Sequence, residues 1–507
     1  MTGRPTTEPP GVAFPVVDGR RSTGATGRAV VADAVRAADA GLAATVEREA
    51  DWRHGYVAAF RGLTEVTARS ADAALRSAAD GLRSVHARFV HDTGDADVPL
   101  RESFDLPGPG LRTAHVAGGG PGGPGAFSLP YRGRRLSGPD LARRLEAWGA
   151  DGVVEPSHAA AVAEVAGQPE WLDLRDTTVV VLGAGAELGP FVPLVRWGAH
   201  VVAVDLPRPA VWERLLTQVR GTPGRLTVPV RRPLPADPPD ADLLAAAGVD
   251  VLSGAPTIAR WLGELPGPYV LGSYVYADGA AHTRASVAVD ALTESLSRSR
   301  DDLTLAFLAT PTDAFTVPED AVEQSRDRYA GHGPATRAAR RAVRAGSAGR
   351  LFGPNYRRLH ARDDGRLVGV HDALVPQQGP NYALAKRIQR WRATTARAAG
   401  TRVSINVAPA TRTRSVLRNR ALAAADAGAH RCGIEIFDPS TSNTLMAALL
   451  VHDLRSPGGP ADPAVALEHP DELLWHGANH GGLWRAAYAP RSVLGLAVVL
   501  GMLPRGR

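Results

Sequence analysis

Residues 177–205 read TTVVVLGAGAELGPFVPLVRWGAHVVAVD and constrain the fold more than any other stretch. The apolar run Val179, Val180, Val181, Leu182 has the continuous β-branched character of a strand buried on both faces. Gly183, Gly185 and Gly189 follow, then an apolar helix-compatible segment, 191–197, a second apolar run, 200–204, and the carboxylate of Asp205. Glycines after a strand let the backbone turn tightly and approach a pyrophosphate, and a following helix N-terminus favours the phosphate charge. Asp205 lies about 20 residues past the first glycine, where a carboxylate can accept bonds from adenosine ribose hydroxyls. The stretch therefore predicts a dinucleotide-binding βαβ unit. Gly183, Gly185, Gly189 and Asp205 are expected to hold NAD or NADP, with Ala186, Glu187 and Leu188 lining the turn. Asp205 favours NAD, because it would repel a 2′-phosphate; Arg208, three residues on, softens that preference.

A chain of 507 residues exceeds one ordinary core, so two or three domains are expected. Its net charge of +6 is carried by arginine, since Lys386 is the only lysine, and the pI near 9.8 is weak evidence for a nucleic-acid partner. One cysteine, Cys432, excludes an internal disulfide framework and fits a reducing cytoplasm. No apolar run reaches the roughly 18 residues that span a bilayer. The apolar tail at 493–503 is expected to pack on the core, with peripheral membrane contact as the alternative.

Residues 1–28, rich in Pro, Gly, Thr and Arg, are expected to form a disordered arm. Apolar residues at helical spacing, such as Val35, Ala38 and Leu42, predict a helical region over 29–105. His54, His86 and His91 in it lack metal-ligand spacing, and no metal site is expected. A Gly/Pro-rich linker over 106–127 and a helical lead-in over 128–176 precede the nucleotide unit. Beyond Asp205, apolar runs at 226–230, 269–276 and 303–309 alternate with helical patterns, an amphipathic one at 284–296 among them. They imply βαβ units, a mostly parallel sheet and an α/β fold of doubly wound, Rossmann-like type. An arginine-rich insertion at about 313–375 interrupts the rhythm; it reads as a solvated basic helix or an anion-binding lid.

Tyr382 and Lys386 stand four apart on a predicted helix and share one face. An ammonium beside the phenol would favour the phenolate and let the tyrosine exchange a proton with a carbonyl or alcohol oxygen. A strand, 402–407, and a proline turn follow. This succession resembles the short-chain dehydrogenase/reductase superfamily, with YxxxK, then a strand close to RVNxVAPG and a threonine soon after. The resemblance spans about 177–455 and leaves 456–507 as a C-terminal extension. It implies an NAD(P)-dependent oxidoreductase moving a hydride between nicotinamide and a carbonyl or alcohol, with Tyr382 as acid/base and Lys386 as its partner. Asn406, Pro409 and Thr411 would pass beside the nicotinamide, and helices flanking the YxxxK face would pair in a homo-oligomer. The family's catalytic serine stands about 13 residues before the tyrosine, where this chain has Gly369. Thr310 and Thr312 offer replacement hydroxyls, provided the insertion loops outward. Leu182 and Glu187 replace the family's threonine and middle glycine, and its Asn-Asn-Ala-Gly segment is missing. A catalytically degenerate dinucleotide-binding scaffold or sensor is therefore the rival reading, and a basic module for acidic partners is a third. The polar loop 476–482 (HGANHGG) could contribute to a substrate pocket. Asp438 and Asp453 read as helix-flanking residues.

Overall fold

The computed structural model describes residues 10–121, 125–331, 333–418 and 420–502. Seven strands form the central sheet: β1 (Arg112–Ala117), β2 (Thr178–Leu182), β3 (His200–Val204), β4 (Arg225–Val230), β5 (Tyr269–Ser273), β6 (Leu303–Ala309) and β7 (Arg402–Val407). Their order across the sheet is β7-β6-β5-β2-β3-β4-β1, and every pairing is parallel except β4 with β1. The chain runs outward from β2 to β4, then re-enters on the other side of β2 as β5. The carboxyl ends of β2 and β5 thus flank the point where the winding reverses.

The strands read as unbroken apolar runs because both sheet faces are covered. Val179, Val181, Val201 and Ala203 pack into one apolar layer, while Val180, Leu182, Val202 and Val204 pack into the opposite one. Helices Pro156–Gly167, Pro209–Arg220 and Pro439–Arg455 supply the first layer; Val251–Gly263 and Ala280–Ser299 supply the second.

The N-terminal helices form a third layer. Thr23–Arg36, Trp52–Thr67 and Ala71–Arg88 lie over Ala280–Ser299 and Pro380–Ala398, burying Val287, Ala291, Leu384, Ile388 and Trp391 between them. The Trp391 ring fits against Gly81, where a Cβ would meet it at 2.6 Å. The helix expected to be amphipathic over 284–296 is consequently buried nearly all round. The outer faces on which an oligomer was expected to pair are occupied by the chain's own helices.

Three boundaries differ from those expected. Within 1–28, residues 1–9 lie outside the described residues, but Gly11–Ala13 pairs with Val90–Asp92 and a helix begins at Thr23, capped by Ser22. The expected linker contains edge strand β1, and Gly118 donates to Gly224 O at 2.9 Å. A Cβ at Gly118 would lie 1.9 Å from Thr222 O, so the run is glycine-rich because backbones meet there. The insertion builds its own antiparallel sheet from Ala314–Pro318, His360–Ala361 and Leu367–Asp372. Its two arms return together, so β6 and β7 still pair directly.

Candidate functional site

At the carboxyl end of β2, Gly183 adopts φ +83°, a conformation that strains any residue with a Cβ, and a Cβ there would sit 3.0 Å from the Tyr274 carbonyl. Two short turns follow, closed by Ala186 N–H to Gly183 O (2.9 Å) and Gly189 N–H to Ala186 O (3.1 Å). The expected helix is only the six residues Phe191–Arg196. Pro190 and Pro193 remove two of the N–H groups that would face a phosphate. Asp205 accepts the Gly185 N–H and the Leu206 N–H, each at 2.7 Å, and burial raises its pKa against those two bonds. Each carboxylate oxygen retains lone-pair capacity for a hydroxyl. Arg214 donates to Gly185 O at 2.8 Å. Glu187 is tied to the segment after β7: its carboxylate accepts the Arg414 N–H at 3.0 Å and its carbonyl accepts from Asn443 at 3.0 Å. Leu188 is partly exposed.

Tyr382 lies in the first turn of helix Pro380–Ala398, with the Thr310 hydroxyl, just past the end of β6, near enough to its phenol to favour the phenolate. Thr310 Oγ1 lies 3.0 Å from Thr312 Oγ1, and Gln378 donates to Thr312 Oγ1 and O, both at 2.9 Å. The insertion therefore leaves both threonines beside Tyr382. A buried ion cluster holds them there. Asp313 accepts from Arg390 at 2.8 Å and lies 3.3 Å from Arg387, both on the YxxxK helix. Burial would raise the Asp313 pKa, but those two guanidinium groups hold it below the usual range.

The electrostatics depart from expectation. Burial pushes the Tyr382 pKa up to about 12, with the Thr310 hydroxyl opposing. Lys386 donates to Leu308 O (3.1 Å) and Gln389 Oε1 (3.2 Å), and burial lowers its pKa to about 8 against the pull of Asp313. The ammonium is thus held by the end of β6 and does not lower the phenol's pKa, contrary to the sequence expectation.

One neighbour escaped the sequence reading. The His282 ring stacks on Tyr382 at 5.3 Å and meets the Tyr276 ring at 5.2 Å, tilted by 51°. His282 Nδ1 accepts the Ala277 N–H at 3.3 Å, so the hydrogen resides on Nε2, which is buried and has no partner among the described residues. Burial and nearby Lys386 lower its pKa to about 3, keeping the ring neutral. Ser273 Oγ, at the end of β5, is another buried polar atom without a partner among the described residues. Nothing local marks His282, because Tyr382 follows it by 100 positions.

The remaining expected contacts face inward. Asn406 is buried and donates to Asp453 at 2.9 Å. Thr411 Oγ1 donates to the Pro409 carbonyl at 2.8 Å and lies 2.7 Å from Ser442 Oγ. Asp438 precedes helix Pro439–Arg455 and Asp453 sits in its last turn. The 476–482 loop is an internal brace in place of a pocket wall. Asn479 and His480 are fully buried, Asn479 N–H donates to Val407 O at 2.9 Å, and His480 pairs with Glu155 at 2.8 Å. Among the described residues, His86, Asp290 and Glu294 cluster at metal-ligand range, but Arg392 donates to both oxygens of Asp290 and supplies the cation itself. No family model, curated protein or solved structure matches the chain.

Proposed function

We propose that the chain is an NAD(P)-dependent oxidoreductase acting on a carbonyl/alcohol pair, built on a Rossmann-type sheet. The observation carrying this reading is the placement of Tyr382 beside Thr310 at the carboxyl edge of β6, with Lys386 one helical turn on. Strand order supports the fold assignment: β4-β3-β2-β5-β6-β7 follows the 3-2-1-4-5-6 winding whose ligands lie at the switch point. The partnerless Ser273 Oγ and His282 Nε2 fit a polar group entering that crevice, and Gly183 leaves room for close backbone approach. Asp205 would take ribose hydroxyls, and its carboxylate supports NAD over NADP. A bound nicotinamide would supply hydride chemistry.

In this scheme Tyr382 Oη moves the proton at the substrate oxygen, and Thr310 orients that oxygen. Lys386, still largely cationic at neutral pH, lowers the cost of the phenolate once it turns from Leu308 O toward the phenol. The single cysteine supports a reducing, cytoplasmic setting. Titration with NADH and NADPH, followed by absorbance at the nicotinamide band with a carbonyl panel, tests the reading. Tyr382→Phe should abolish turnover while leaving cofactor affinity intact; unchanged turnover would remove Tyr382 from the role.

A dinucleotide-binding scaffold without turnover is the second reading. It is favoured by the raised phenol pKa, by Lys386 bonded away from the phenol, and by the six-residue helix after the glycine turn. Cofactor binding with no hydride transfer to any substrate would select it.

A further inference from the structure

Among the described residues, five of the ten exposed large apolar side chains fall on three neighbouring segments: Val343, Leu351, Leu417, Val499 and Met502. Helix Pro334–Gly346 buries none of its residues. Arg337, Arg340, Arg341 and Arg344 share one of its faces, and Ala335, Ala338, Ala339, Ala342 and Val343 share the other. Arg340 and Arg344 turn toward the protein, while Arg337 and Arg341 at the edges of that face are exposed. The Arg340 guanidinium sits 5.0 Å from the Tyr488 ring centre, and Arg344 donates to Tyr329 at 3.0 Å. The alanine and valine stripe therefore faces outward, the reverse of an ordinary surface helix.

The C-terminal helix Pro490–Met502 adjoins it. Phe352 N–H donates to Ser492 O at 3.3 Å, and the Phe352 and Tyr488 rings meet at 5.3 Å. No charged residue occurs from Ser492 to Met502, and Gly495, Val499 and Met502 form an exposed stripe. This helix packs backbone to backbone on helix Arg420–Ala429: a Cβ at Gly501 would lie 1.8 Å from Ala424 O, and one at Gly428 would lie 2.1 Å from Ala497 O. The result is a closely packed helix pair with Gly495, Val499 and Met502 on its exposed side. Its rim is cationic. Between Pro334 and Arg358 there are seven arginines and no acid, and between Ala410 and Ala425 four arginines and no acid. Arg337, Arg341, Arg418 and Arg420 make no ion pair among the described residues.

We infer that this outward apolar stripe, with its arginine rim, docks the protein on a bilayer containing anionic lipid. Apolar side chains would enter the headgroup boundary while the guanidinium groups meet lipid phosphates. A second copy of the chain is disfavoured as occupant, because self-pairing would oppose arginine to arginine. Among the described residues no helix is long and apolar enough to cross a membrane, and the contact inferred is peripheral. The inference does not depend on the oxidoreductase reading.

Sedimentation of the full chain with phosphatidylcholine vesicles, with and without one-third phosphatidylglycerol, tests it. Binding should require the anionic lipid and fall with salt. Arg341→Glu and Val499→Asp should each weaken partitioning roughly fivefold or more. Both sites are exposed, so thermal unfolding should be unchanged. Equal binding to both vesicle types, no binding at low salt, or variants that bind like the parent chain would overturn the inference. A dimer in light scattering that Val499→Asp splits would also overturn it, assigning the surface to self-association.

Discussion

His282 stacks on Tyr382 with ring centres 5.3 Å apart and planes inclined by 28°, and its Nε2–H is buried without a partner among the described residues. A neutral imidazole in that state is a hydrogen-bond donor held ready beside the proposed acid/base. His282→Phe keeps the stacked ring and removes the donor. Under the proposed function it should weaken dinucleotide or substrate binding about tenfold, the worth of one buried hydrogen bond. Stability should change little, because losing the unsatisfied Nε2–H offsets the loss of the Nδ1 acceptor for the Ala277 N–H. Binding isotherms and thermal melts on the same samples separate the two effects; unchanged binding would leave the donor without a ligand.

Gly183 and Gly400 both have positive φ, +83° and +94°, but their surroundings differ. A Cβ at Gly183 meets the Tyr274 backbone at 3.0 Å, whereas one at Gly400 meets nothing within 4 Å. Gly400→Ala should cost about 1 kcal/mol for the left-handed backbone alone. Gly183→Ala should cost about 2–3 kcal/mol, because the β2 and β5 ends must also part. It should also abolish dinucleotide binding if the turn is the phosphate site. Denaturant unfolding and cofactor titration of both variants make the comparison; equal stability losses would contradict the close approach.

Much of the sheet was legible because β2, β3, β5 and β6 are buried on both faces, which leaves the apolar run as an unambiguous signature. Edge strand β1 was missed: Arg112, Thr113 and His115 are exposed on it, and β4 follows some 110 positions later. The nearness of Thr310 to Tyr382 was only half legible. The strand end could be read, but what closes the gap is Asp313 bonding Arg390 across 77 positions and Ala314–Pro318 pairing with Leu367–Asp372. Such long-range ion pairs and antiparallel returns leave no local period. The direction of Lys386 was misread for a similar reason, since its acceptor Leu308 O belongs to a backbone 78 positions away.

Acid should weaken the fold from an unusually high pH. Burial lowers the pKa of His158 to about 4 and those of His282 and His371 to about 3. Once unfolded, each takes up a proton near pH 6.5, which the folded chain cannot do until far lower pH. Stability therefore falls as pH drops below about 6.5, by roughly 1.4 kcal/mol per unit for each histidine. His371, with neither ring nitrogen bonded among the described residues, is the clearest case. His371→Phe should flatten the slope between pH 6 and 4 by about one proton. Urea unfolding across that range reads the slope directly, and an unaltered slope would mean that His371 protonates in the folded state.

The Glu155 carboxylate fastens the helical lead-in to the C-terminal loop. Arg485 donates to both its oxygens, at 2.8 and 2.7 Å, and His480 Nε2 lies 2.8 Å from Oε1. Burial would raise its pKa, but the Arg485 and His480 bonds hold it down at about 2. The stabilisation is fully present above pH 4.5 and is lost as pH falls toward 2. Glu155→Gln leaves Arg485 buried with only the exposed Asp320 as counter-charge, and should cost about 3 kcal/mol at pH 7. That deficit should shrink between pH 4.5 and 2, as the parent chain protonates the same site. Asp320→Asn, which removes the exposed partner alone, should cost under about 1 kcal/mol. Paired melts of the three proteins across this window decide the matter. A Glu155→Gln deficit that stays constant with pH would mean that the pair contributes shape and not charge.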